Sequence, residues 1–134
     1  MIKLIFCLFL LVAPFAPGSE KLEISVKHVQ VGKGSIVVEI YNAKETFFKK
    51  PVETKTVKAS GQTLDFSFDV PDGVYAVAAY QDINENKELD KGIFNIPKEP
   101  YGLSNNYRPK FSAPTFDDCK FNINRETTIT IILK

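Results

Sequence analysis

Apolar and polar positions alternate with a period of two along most of this chain. Leu22, Ile24 and Val26 are separated by Glu23 and Ser25, the signature of a strand with one buried face. Leu64, Phe66, Phe68 and Val70 alternate with Asp65, Ser67 and Asp69 more cleanly still. Ser35 to Tyr41 (SIVVEIY) is apolar and β-branched almost throughout, which suits a strand covered on both sides. Val74 to Gln81 (VYAVAAYQ) reads as a further strand, and Val52 to Ala59 as a weaker, more polar one. Pro71-Asp72-Gly73 lies between two of these runs. Proline presets φ and glycine accepts positive φ, so the pattern predicts an antiparallel hairpin of 64–70 with 74–81. Phe116 to Asn124 and Thr127 to Leu133 predict a last pair of strands about Asn124-Arg125-Glu126. The only helical signal is a short turn near Ala43 to Phe48.

Between these strands, Lys91 to Thr115 holds Pro97, Pro100, Pro109 and Pro114, which excludes a long helix or a central strand. It also holds Ile93, Phe94, Ile96, Tyr101, Leu103, Tyr107 and Phe111, too apolar a set for a disordered segment. An ordered crossing loop packed on the domain is expected. About seven short strands predict an all-β fold, a single Greek-key β-sandwich of immunoglobulin-like type. An eight-stranded closed barrel is the alternative.

The first residues do not belong to this pattern. Lys3, the apolar run Leu4 to Ala13 and the small residues of Ala16-Pro17-Gly18 form the three parts of a secretory signal. The run is shorter than the roughly 20 residues of a membrane-spanning helix. The expected organisation is a signal peptide at 1–18 and a β-sandwich domain at 19–134. It places the protein outside the cytoplasm, in the periplasm or the extracellular space, with no stable membrane span after cleavage. Loss of Lys3 takes the basic residues from 17 to 16, against 16 acidic ones, so the remaining domain is formally neutral. A neutral domain has no field to draw it to nucleic acid. Only Cys119 remains of the two cysteines, so no intramolecular disulfide can form and the apolar core carries the fold. With no histidine nearby, Cys119 is expected to behave as a small, half-buried hydrophobe.

Catalytic patterns are scarce. His28 is the single histidine, and the chain has no GxSxG, no Gly-rich phosphate loop and no HExxH. The stretch with the most chemistry is Asp82-Ile-Asn-Glu-Asn-Lys-Glu-Leu-Asp90. Calcium takes oxygens from positions 1, 3 and 5 of such a loop, a main-chain carbonyl from position 7 and a side chain or water from position 9. Those positions are Asp82, Asn84, Asn86, Glu88 and Asp90. Lys87 stands where calcium loops use glycine, and Ile93 where an EF-hand has its bidentate glutamate. Few charged ligands put the expected affinity for calcium in the weak range of roughly 10⁻⁴–10⁻³ M. The alternative is a metal-free turn held by Asx side chains bonding their own backbone.

PDGVYAVAAYQDINENKELD, then GIFNIPKEPYGLSNN, then APTFDDCKF occur in that order. Together they resemble a bacterial family of exported domains catalogued as domain of unknown function 2141, over roughly Leu22 to Leu133. The resemblance implies an exported β-sandwich similar to prealbumin-like or carboxypeptidase-regulatory-like domains, and calcium-loop-like positions at Asp82, Asn84, Asn86 and Asp90. It carries no activity. This chain departs from the family pattern at Gln81, where histidine commonly precedes the loop, and at Lys87, where the loop has glycine.

The expected function is a non-catalytic binding or accessory module working through the loop end, residues 82–90 and 92–115. Its partner would be a protein, a glycan or a small molecule. The residues expected to contact it are Tyr101, Ser104, Asn105, Asn106 and Tyr107, on a loop held by a sheet scaffold. The triplet Ser104-Asn105-Asn106 reads first as loop structure and second as a ligand contact. Two alternatives remain: a calcium-stabilised structural domain, and a hydrolase joining Asp82 to Asp117 or Asp118, which would need those carboxylates to converge with a raised pKa.

Overall fold

Strand β1 (Ser19–Lys27) buries Leu22, Ile24 and Val26 and turns the residues between them outward, as its alternation predicts. β4 (Thr63–Pro71) lies antiparallel beside it, with Leu22 opposite Phe68 and Ile24 opposite Phe66. β8 (Thr127–Ile132) lies on its other side in parallel, with Ile24 opposite Ile129 and Val26 opposite Ile131. These three strands form one sheet in the order β4-β1-β8. The second sheet runs β3 (Glu53–Lys58), β2 (Ser35–Tyr41), β5 (Gly73–Asp82) and β6 (Tyr101–Leu103), and β7 (Phe121–Ile123) pairs with the start of β5. The computed structural model describes residues 18–92 and 96–134. Apart from Gly18, the expected signal segment lies outside the described residues, as do Ile93 and Phe94 of the crossing loop. No helix among the described residues is long and apolar enough to cross a membrane.

The two sheets face one another as an all-β sandwich, so the barrel alternative falls. Leu22, Ile24, Val26, Phe66, Phe68 and Ile131 from one sheet pack against Ile36, Val38, Ile40, Tyr75, Val77 and Ala79 from the other. The chain crosses repeatedly between the sheets: after β2 and β3, β4 returns beside β1 and β5 beside β2.

Two expected strand pairs are corrected. β4 and β5 do not form a hairpin; they belong to opposite sheets, and Pro71-Asp72-Gly73 is the corner between them. The Tyr75 hydroxyl donates to the Pro71 carbonyl at 2.6 Å. A tyrosine just inside the second strand bonded back across the corner is the device that fixes sheet-to-sheet crossings in immunoglobulin-type sandwiches. Nor do the last two strands pair with each other: β7 joins β5 and β8 joins β1. Phe116–Cys119, expected within a strand, is a single helical turn, α1, because Thr115 and Asp118 form a capping box. The short turn expected near Ala43 to Phe48 is a 3₁₀ turn at Lys44–Thr46.

From Tyr75 to Asp82, β5 is buried on both faces. Its outward-facing Ala76 and Ala78 lie in a second apolar cluster with Tyr41, Phe47, Leu103, Phe116 and Cys119. Small alanines let the covering segments approach closely. Cys119 is fully buried rather than half-buried, and burial, helped by Asp118, pushes its thiol up to about 12. It is a packing residue with little thiolate at neutral pH.

Gln81 is fully buried on the inner side of β5. Its Nε2 donates to the carbonyls of Gln30 at 2.8 Å and Lys33 at 2.6 Å, and its Oε1 accepts from the Gln30 N–H at 2.9 Å. One amide side chain thus ties down the β1–β2 connection. In the Gln81→Leu variant, which keeps the volume, these backbone groups lose their partners. We expect a loss of about 3 kcal/mol in urea denaturation; a loss below about 1 kcal/mol would show that water replaces the amide.

Candidate functional site

The polar loop begins inside the protein. Asp82, the last residue of β5, is buried, and its carboxylate accepts the N–H groups of Asn86 at 3.2 Å and Lys87 at 2.7 Å. Asn84 Oδ1 accepts from the Asn86 N–H, and Asn86 Oδ1 from the Glu88 N–H at 3.0 Å. The side-chain amides of Asn84 and Asn86 both donate to Asp90, one to each carboxylate oxygen. Four of the five residues singled out for metal binding, Asp82, Asn84, Asn86 and Asp90, are therefore joined in one hydrogen-bonded loop. The fifth, Glu88, contributes its backbone N–H.

Three residues outside the 82–90 stretch, Glu99, Ser35 and Lys58, fasten this loop. Glu99, buried on the far side of the crossing segment, accepts the Ile83 N–H at 2.6 Å with one oxygen and the Asp90 N–H at 2.9 Å with the other. It clamps the two ends of the loop together. Glu85 accepts from the Ser35 hydroxyl at 3.1 Å and pairs with Lys58, which together hold its carboxyl below the ordinary range. Glu99 was not singled out from sequence. The signal was available: a carboxylate inside a loop too apolar to be solvated needs buried donors.

Lys87 has φ 65° and Glu85 φ 53°. The left-handed turn that calcium loops form with glycine at position 6 is thus made here by lysine, which costs roughly 1–2 kcal/mol. Among the described residues, no three His, Cys, Asp or Glu side chains gather into a metal-holding group. Asp82 and Asp90 bond to the backbone and asparagine amides of this loop instead.

The residues expected to contact a partner divide. Ser104 is buried; its hydroxyl accepts the Val77 N–H at 2.9 Å and donates to the Cys119 carbonyl at 2.5 Å. Asn105 donates to the Lys120 carbonyl at 3.0 Å. Asn106 donates to Thr130 O and accepts from Ile132 N, each at 3.2 Å, along the edge of β8. Both asparagines are left-handed, at φ 62° and 48°, a conformation asparagine tolerates better than most residues. This triplet ties the crossing loop to β5, α1 and β8. Tyr107 packs on the outer apolar cluster.

Tyr101 packs against the same cluster and also borders a cleft. It carries Arg108 over its ring at 4.9 Å and lines this cleft, of about 570 Å³, with Phe48, Ile96, Phe111, Lys91 and Lys110. Leu89, at the end of the polar loop, forms part of the same wall. The cleft therefore joins the polar loop to the crossing segment.

Carboxylates proposed for hydrolysis do not come together. α1 packs in the cluster around Ala76 and Ala78, whereas Asp82 lies four to six residues further along β5, roughly 13–20 Å at about 3.3 Å per residue. Asp117 pairs with Lys44 at 2.8 Å and Lys120 at 3.1 Å, which lower its carboxyl rather than raise it. Asp118 is the capping carboxylate of α1.

The family model described as "Uncharacterized protein conserved in bacteria (DUF2141)" matches residues 24–130. The chain belongs to this DUF2141 family. That match spans both sheets, the polar loop and the crossing segment. Neither the curated proteins nor the solved structures contain a match. In this DUF2141 chain, the left-handed lysine yields a direct test. Lys87→Gly should raise stability by about 1 kcal/mol in urea denaturation; an unchanged or lower midpoint would show that the lysine side chain contributes more than its backbone conformation costs.

Proposed function

We propose that this domain is a non-catalytic, exported binding module whose working surface is the loop end built by residues 82–92 and 96–115. The cleft of about 570 Å³ carries the proposal. It falls in the roughly 300–1,000 Å³ range of small-ligand sites and is walled mainly by apolar side chains with a few polar ones. Its walls are loops; Glu99 joins the crossing segment to the polar loop, and Ser104, Asn105 and Asn106 anchor that segment to β5, the end of α1 and β8. Binding residues are commonly presented in this way, on loops positioned by a scaffold. Among the described residues, Asp82 is committed to backbone donors and Asp117 to two lysines, which argues against their use as an acid–base pair. Export rests on the signal-like segment at 1–18.

The test uses protein collected after export, with its N-terminus read by mass spectrometry and expected at Ser19. A mixed library of small fragments is then screened by amide NMR. Hits should shift residues 89–92, 96–101 and 108–113. Hits centred on another face, or an N-terminus still at Met1, would count against the working surface and against export respectively.

A second reading is calcium stabilisation of the 82–90 loop. It is favoured by the left-handed Lys87, which supplies the turn such loops require, and by the convergence of Asn84 and Asn86 on Asp90. The holding residues would be Asp82, Asn84, Asn86 and Asp90, with the carbonyl of Glu88. Asn84 and Asn86 would have to turn their amides to offer oxygen in place of N–H. At 10 mM Ca²⁺ the melting temperature should rise by about 5 °C, and less in Mg²⁺. A melting curve indifferent to Ca²⁺ removes this reading without touching the first.

A further inference from the structure

We propose that the cleft binds an amphipathic carboxylate, with an apolar body against Phe48, Ile96, Tyr101 and Phe111 and its negative charge met by Lys91 and Lys110. This rests on the loop end being the working surface and names the ligand class for it.

Three observations point the same way. The first is the lining. Its charged members are two lysines and no acid, and neither lysine has an ion-pair partner among the described residues. The whole chain has a formal net charge of only +1, so two lysines with no acid on one lining are a local excess of positive charge. A lysine is a compact point charge on a flexible stem, suited to a single anionic group. The nearby guanidinium that could form a two-pronged contact is engaged: Arg108 donates to the Ile132 carbonyl at 2.8 Å and sits over Tyr101. That favours one carboxylate over a multiply charged phosphate.

The second is Phe48. Its backbone is left-handed, at φ 59°, a region that bulky residues avoid. The ring nevertheless remains 44% exposed while it packs on Phe47. The fold thus holds at the cleft an aromatic ring, packed on Tyr41 and Phe47, whose backbone is an outlier of the kind found at ligand contacts.

The third is the grouping of exposed carbon. Phe111 is wholly exposed and Ile96 is 63% exposed, and both line this cleft with Phe48. Exposed apolar side chains scattered singly need no explanation, but three on one concave surface do.

Octanoate and octanol are suitable probes because they share an alkyl chain and differ in charge. In amide NMR titrations of the purified protein, octanoate should shift Lys91, Ile96, Tyr101, Lys110 and Phe111 saturably, and bind about fivefold more tightly than octanol. The double variant Lys91→Gln with Lys110→Gln should lose that preference and still bind both. Phe111→Ala should weaken both probes. All three side chains are exposed, so the melting temperature of each variant should match the parent. Equal binding of octanol and octanoate in the cleft would overturn the ligand class and leave the working surface standing. No cleft shifts with either probe would overturn both.

Discussion

Burial of β5 on both faces is the constraint on which the rest of the molecule depends. Its inner face completes the sandwich core through Tyr75, Val77 and Ala79. Its outer face would be an apolar sheet surface in water if nothing covered it. The 3₁₀ turn after β2, α1 and the crossing segment supply that cover through Phe47, Phe116, Cys119 and Leu103. Segments usually regarded as connections are therefore part of the packing, and a loop held this firmly can shape a cleft.

The polar loop follows from the same strand. β5 ends at Asp82, whose carboxylate is buried and needs donors. The chain turns back and provides them from Asn86 and Lys87, at the cost of two left-handed residues. Glu99 then uses both of its oxygens on the loop's ends. Every bond in this arrangement joins oxygen to N–H, and the Asx side chains and Glu99 together hold the loop. The Asn84 and Asn86 amides present N–H groups, not oxygens, to the Asp90 carboxylate.

Much of the fold was legible in the alternation of Leu22 to Val26 and Leu64 to Val70, because one-sided burial writes itself into a period of two. Strand partners were not. Pro71-Asp72-Gly73 has the residues of a turn, and a turn between two strands looks the same in sequence whether they stay in one sheet or change sheets. Tyr75 decides the matter through a bond to Pro71 that no local rule for hairpins includes. The candidate site was legible where residues carry distinctive chemistry, as in 82–90 and at Tyr101. Phe48 and Phe111 were not singled out, because an aromatic in a loop is equally at home in a core. The roles of Ser104, Asn105 and Asn106 depend on partners 13 to 27 residues away, which only the folded chain brings near.

Asn106 has one more consequence. β8 ends its sheet, and its free edge is a row of backbone groups that another extended chain could join. The Asn106 amide donates to Thr130 O and accepts from Ile132 N, much as a peptide group of a neighbouring strand would. Arg108 occupies Ile132 O, and on the opposite edge Lys55 reaches Ser67 O of β4. The three-stranded sheet thus carries side-chain stoppers along both borders. These side chains occupy edge groups that a further strand would otherwise pair with, so each border is blunted by the chain itself.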